Sequence, residues 1–200
     1  MKKTFNSLMA ILLAGTVSIS AHAFSIAAPG TEGFPIFVIS TGPVTATYQG
    51  TSASYSNDLY LMLDSSGIPG NDGNPANDIF LFNNRASSEG ETKDLGTFTS
   101  GMELMFRLHV NNTGNDFFTG PASNNGDGQL HARAQGNRLL DATLVSFEDL
   151  NGTPEFPGGF NDLSFSLSNT LVVPEPEIYA MLLAGLGIIG AVARRRKIIA

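Results

Sequence analysis

Cysteine and tryptophan are both absent from this 200-residue chain, and it has only four tyrosines and three histidines. Without cysteine there can be no disulfide, no thiol nucleophile and no thiolate metal site. A body of this size must then hold itself together through its hydrophobic core. Without tryptophan, and with tyrosine scarce, a sugar-cleaving cleft would lack the best ring-stacking platform. Basic residues are also few. Eleven Lys and Arg stand against eighteen Asp and Glu, for a net charge of −7. Six of the eleven lie in the terminal segments, which leaves five basic residues against sixteen acidic ones between them. Nucleic acid and anionic membrane surfaces both require a basic footprint, so neither is expected as a partner of that middle region. Cations are compatible with it. There is no Gly-x-Ser-x-Gly elbow, no phosphate loop and no two-His metal spacing, so the body is not expected to be an enzyme.

Long apolar runs occur only near the two ends. Lys2 and Lys3 precede the apolar stretch Leu8 to Ile19, followed by Ala21-His22-Ala23. A charged start, a hydrophobic middle and a small-x-small site form a secretory signal peptide. Residues 1–23 are therefore read as a signal helix handed to the Sec translocon, with Ala21 and Ala23 setting the cleavage site and Phe24 the mature start. At the other end, Val173-Pro174-Glu175-Pro176 precedes an uncharged run from Ile178 to Ala193, closed by Arg194-Arg195-Arg196-Lys197. As a helix that run is about 24 Å long, short against a bilayer core of about 30 Å. Its glycines at 185, 187 and 190 weaken the helix and permit close approach to a partner helix. The basic cluster after it favours a cytoplasmic C-terminus, with everything before it outside. A temporary anchor fits this pattern, and a permanent tail anchor is the alternative.

Pro-Glu-Pro, a short apolar helix and an arginine cluster together resemble the PEP-CTERM sorting signal of Gram-negative bacteria. That resemblance implies recognition of Pro174, Glu175, Pro176, Arg194, Arg195 and Arg196 by the membrane enzyme exosortase. It also implies an inner-membrane intermediate and delivery to the surface or extracellular matrix. The expected organisation is a signal peptide (1–23), an exported domain (24–171) and a sorting signal (172–200). The last comprises the motif 174–176, a transmembrane helix 178–193 and a basic tail 194–197.

The exported domain reads as short strands separated by Gly, Asn, Asp and Pro. Phe34 to Ile39, Val44 to Tyr48, Leu59 to Leu63, Ile79 to Phe82, Gln129 to Ala134 and Ala142 to Phe147 are strand candidates. From Glu103 to Val110 the period is two. Leu104, Phe106, Leu108 and Val110 share one face, and Glu103, Arg107 and His109 the other. Leu163, Phe165 and Leu167 alternate with three serines in the same way. With no amphipathic helix in between, the expected fold is all-β: an antiparallel β-sandwich of about eight strands. No internal repeat suggests a solenoid.

Asn115-Asp116-Phe117-Phe118, the run Asn124 to Ala132, Phe147-Glu148-Asp149-Leu150 and Phe160-Asn161-Asp162-Leu163-Ser164-Phe165 follow in that order. In this the stretch 103–168 resembles the DUF4114 family of bacterial extracellular domains. The resemblance implies an exported β-rich module of the surface or adhesin kind, with no catalytic role. The acidic residues that usually precede Phe-Asn-Asp in that family are replaced here by Phe156-Pro157-Gly158-Gly159.

Calcium takes six to eight oxygens and tolerates irregular loops. Glu148, Asp149, Asn161 and Asp162 flank one Gly- and Pro-rich loop between strands, with Asp127 available from the preceding loop. These five residues are the candidate calcium ligands. Ordinary turn chemistry, in which Asp and Asn bond their own backbone, accounts for the same residues without a metal. The segment Asn71 to Asp78 lacks EF-hand spacing and is read as an Asx-rich turn.

The expected function is therefore a non-enzymatic binding or structural module in an exopolysaccharide or biofilm matrix, meeting polymer or other surface proteins. Its rivals are an extracellular polysaccharide hydrolase with Glu148 and Asp162 as a carboxylate pair, and a passive matrix component with no specific ligand.

Overall fold

The computed structural model describes residues 24–137, 139–152, 159–173, 183–186 and 188–189. The expected signal peptide, the Pro-Glu-Pro motif and the arginine cluster lie outside the described residues. The body is built from antiparallel strands, with two single-turn 3-10 segments at Pro75–Asn77 and Ala122–Asn124. Twelve strands are described. β1 (Ile36–Val38), β2 (Gly42–Gly50), β3 (Asn57–Leu61) and β4 (Ile79–Asn83) come first. β5 (Thr92–Phe98), β6 (Glu103–Leu104), β7 (Phe106–Val110) and β8 (Asn115–Phe118) follow. β9 (Ala132–Asn137), β10 (Ala142–Phe147), β11 (Leu163–Ser168) and β12 (Thr170–Val172) complete the body.

These strands form a five-stranded sheet in the order β5-β2-β11-β10-β9 and a four-stranded sheet in the order β4-β3-β7-β8. The two sheets face each other across one core. Val44, Ala46, Tyr48, Val145, Phe147, Leu163, Phe165 and Leu167 enter it from the larger sheet; Leu59, Leu61, Leu81, Phe106, Leu108 and Val110 enter from the smaller. Ring pairs bridge the layers: Phe106 meets Phe165 at 5.0 Å between centroids, and Tyr48 meets Phe82 at 5.5 Å. Alternation is the cause, since every second residue of a strand points the same way and the apolar set must be covered.

A third sheet, in the order β12-β1-β6, joins the two large ones. β12 continues β11 after a single residue, Asn169, and β6 runs into β7 through Met105. β1 pairs with both extensions, Ile36 opposite Val172 on one side and Leu104 on the other. The corner at Asn169 needs a left-handed backbone, with φ at 53°. Asparagine tolerates that region better than most residues, and here its side chain holds the Ser40 backbone through two bonds. Ser40 N donates to its Oδ1 at 3.1 Å, and its Nδ2 donates to Ser40 O at 2.8 Å.

Three expectations need amending, the first being the number of strands: about eight are expected and twelve are described, because several are extensions of only two or three residues. The single strand 103–110 is divided at Met105, because its two halves belong to different sheets. Arg107, placed by alternation on the polar face, is only 6 % exposed. The loop before β4 covers it, and Asp78 and Asp116 pair with its guanidinium at 2.9 and 2.8 Å while it lies over the Tyr60 ring. The reading of Asn71 to Asp78 as turns agrees with the structure. Asn71, Asp72 and Asn74 each accept a bond from the backbone N–H two residues ahead.

Of the expected span 178–193, residues 183–186 and 188–189 are described, and they are helical. Among the described residues no helix is long and apolar enough to cross a membrane.

Candidate functional site

At one end of the sandwich β10 stops at Phe147, and the chain passes through Glu148 and Asp149 before returning at Asp162 to begin β11. Antiparallel pairing sets Phe147 opposite Leu163. The residues just beyond that last pair are therefore forced together. Glu148, Asp149 and Asp162 are 0 %, 4 % and 6 % exposed, and each has a carboxylate oxygen within 4.8 Å of the others.

The backbone fixes how these carboxylates stand. Asp149 N donates to Asp162 Oδ2 at 2.9 Å. Leu150 N and Phe160 N donate to the two oxygens of Glu148, each at 3.2 Å. Phe160 reaches that position with φ at 69°, an unfavourable conformation for an aromatic residue. It is buried, with the Arg133 guanidinium 4.3 Å above its ring. That arginine is engaged by Glu32 at 2.7 Å. Burial first, then the neighbouring Asp149 and Glu148 carboxylates, holds the Asp162 carboxyl well above the usual carboxylate range.

The cluster is also tied to the opposite sheet. Asn57, first residue of β3 and fully buried, donates from Nδ2 to Asp149 Oδ2 at 2.7 Å. The loop linking β2 to β3 adds two bonds: Thr51 Oγ1 donates to Asp162 O at 2.6 Å, and Ser52 N to Asn161 O at 2.8 Å. Nothing in the local sequence around Asn57 marks it, since its partner is 92 residues away.

The five residues expected as calcium ligands thus separate. Glu148, Asp149 and Asp162 converge. Asn161 is half-buried and contributes its backbone carbonyl to Ser52; its side chain makes no hydrogen bond among the described residues. Asp127 serves a different loop. It accepts from Gly152 N at 2.8 Å, Gln129 N at 3.0 Å and the His131 ring at 2.9 Å. Burial works against its ionisation, but the Gly152 and Gln129 amides and the His131 ring outweigh it and take its pKa down to about 2. His131, inside the expected strand Gln129 to Ala134 but one residue before β9, is fully buried and stacked on Phe117 with 3.9 Å between ring centroids.

Chemically, three buried carboxylates, Glu148 and Asp162 held by backbone amides and Asp149 by the Asn57 side chain, form an oxygen-only donor set that suits a hard cation. Phe24, the expected mature start, is the first described residue and packs beside Gly50 at the end of β2.

No curated protein matches the chain. At its C-terminal end, residues 172–197 match the family model of the PEP-CTERM protein-sorting motif, so the chain carries the signal of an exported, membrane-processed surface protein sorted by exosortase.

Proposed function

We propose that this chain is an exosortase-sorted matrix protein whose β-sandwich binds, without turnover, in exopolysaccharide or biofilm at the cell surface. The observation that carries this reading is the position of the sorting motif. It begins at Val172, the last residue of β12. The folded cargo ends where the delivery tail begins.

Two further features support binding. On the outer face of the five-stranded sheet, a depression of about 430 Å³ is lined by Ser25, Gln49, Gln135, Asn137 and Ser166 among others. Such amides and hydroxyls both donate and accept, as the hydroxyls of a polysaccharide require. The resemblance of 103–168 to DUF4114 domains is consistent with a surface module. In this reading calcium sits at Glu148, Asp149 and Asp162 and stiffens the loop after β10.

The hydrolase alternative would use Glu148 and Asp162. Glycosidase carboxyls flank their bond about 5 to 10 Å apart with room for sugar between them. Here both are buried and their oxygens lie within 4.8 Å, which favours binding over turnover. Incubating the purified protein with matrix polysaccharide tests the two readings. Co-sedimentation with no release of reducing ends is the expected result. Reducing ends that disappear with Glu148→Gln would establish the hydrolase instead.

A further inference from the structure

The acid cluster has a buried neighbour from the opposite sheet with an oxygen to spare. Asn57 is 0 % exposed, and its Oδ1 has no hydrogen-bond partner. Buried amide oxygens in native proteins are nearly always paired, so an orphan calls for a cause. Its orientation is not free to drift. Asn57 N donates to Asn84 Oδ1 at 2.8 Å, Asn84 N donates to Asn57 O at 3.0 Å, and Asn57 Nδ2 is held on Asp149 Oδ2. The unsatisfied oxygen therefore belongs to a head group locked at the edge of the three carboxylates.

The carboxylates have a matching need. Three acids within 4.8 Å in a buried site repel one another when ionised. Backbone N–H groups take one lone pair on Asp162 and one on each oxygen of Glu148, which leaves further lone pairs on both of these acids. A divalent cation answers both needs at once: it takes the acids' negative charge and gives the amide oxygen a partner. The donors are all oxygen, of mixed charged and neutral type, the acids from one irregular loop and the amide from the start of β3. That composition suits calcium and not zinc, which prefers nitrogen and sulfur. His131, whose backbone carbonyl accepts from Glu148 N, turns its imidazole to Asp127.

We propose that Asn57 Oδ1 completes a calcium cage with Glu148, Asp149 and Asp162, so that the ion joins the two sheets of the sandwich. This rests on the cluster being a cation site, and it adds the ligand that makes the ion a cross-link. Glu148, Asp149 and Asp162 belong to the loop between two strands of the larger sheet, while Asn57 opens a strand of the smaller one. An ion bound by the first three alone would stiffen one loop. With Asn57, it resists separation of the layers. Extracellular calcium modules work with dissociation constants of about 10⁻⁴ to 10⁻³ M, so the cage would fill after export.

The full chain, purified in mild detergent and stripped with EDTA, is titrated with terbium as a calcium stand-in and with calcium itself. Luminescence lifetimes in H₂O and D₂O count the waters left on terbium. The cage predicts one tight terbium per chain, displaced by calcium, and a raised melting temperature with calcium. In Asn57→Leu, calcium affinity falls about tenfold and terbium gains about one water. Asn57→Asp, which keeps an oxygen and adds charge, binds calcium at least as tightly as the wild type. If the wild-type chain binds neither ion, the cation site itself is refuted. If it binds both and Asn57→Leu matches it in affinity and water count, the site stands and the Asn57 inference is overturned. Should Asn57→Leu not fold, weaker binding by Asn57→Asp overturns the inference.

Discussion

The residues around Asp127 and Glu148 divide the acidic loops into two kinds of carboxylate. Asp127 is ionised and fully engaged by Gly152, Gln129 and His131. Its folded pKa, about 2, lies below that of an unstructured aspartate. The folded state therefore binds its proton less readily than the unfolded state does. The stability it contributes is present above about pH 4 and is lost as pH falls towards 2. Asp127→Asn should cost about 1–3 kcal/mol at neutral pH, read by urea unfolding, because hydrogen bonds to a charged group weaken. The gap between variant and wild type should close between about pH 4 and pH 2; an unchanging gap would show that the charge is not the cause. The convergence of Glu148, Asp149 and Asp162 was legible in the sequence, because both segments flank one loop between strands that pair. Asn57 was not, since only the meeting of two sheets brings it there. Asp127 looked like a third contributor to that loop, but its neighbours in the chain, Gln129 and His131, claim it first.

Strands rich in apolar residues were plain in the sequence, the edge strand β4 among them, and the edge strands β5 and β8 were not. β10 and β11 sit inside the larger sheet, and their alternation marks them out. β5 and β8 lie at edges; β5 is polar at four of seven positions and β8 is four residues long with two of them polar, so Thr92–Phe98 and Asn115–Phe118 give little periodic signal. β12 was hidden because it is three residues long and only one of them, Thr170, is buried. The corner before it makes a separate prediction. Asn169→Val places a β-branched side chain at φ of 53° and removes the bonds to Ser40. A loss of about 2–4 kcal/mol is expected from strain and lost hydrogen bonds together. Asn169→Gly should recover part of that loss, and equal losses in the two variants would rule out backbone strain. Phe106→Ala, which empties the centre between the layers, should cost about 3–5 kcal/mol by the same unfolding measurement.

For the whole molecule, the sandwich was legible because nearly every candidate strand had one apolar face and no helix was available to cover it. The linking third sheet was not, because it consists of extensions that leave one layer for another at Met105 and Asn169. The export signal that the family match supports is at the C-terminal end, where the sorting motif begins on the last residue of β12. Replacing Arg194, Arg195 and Arg196 by Gln should leave the fold intact and impair sorting, with the protein reaching the surface in smaller amounts. Normal delivery of that variant would deny the basic cluster its stop role. The central claim is that an acidic β-sandwich is delivered by a tail that exosortase reads. Intact-mass measurement of the protein from cells with and without exosortase tests it most directly. The account predicts, in exosortase-containing cells, a released chain that begins at Phe24 and lacks the arginine cluster, and in exosortase-deficient cells a membrane-held chain that keeps it. A full-length chain folded in the cytosol, unchanged by loss of exosortase, would contradict it.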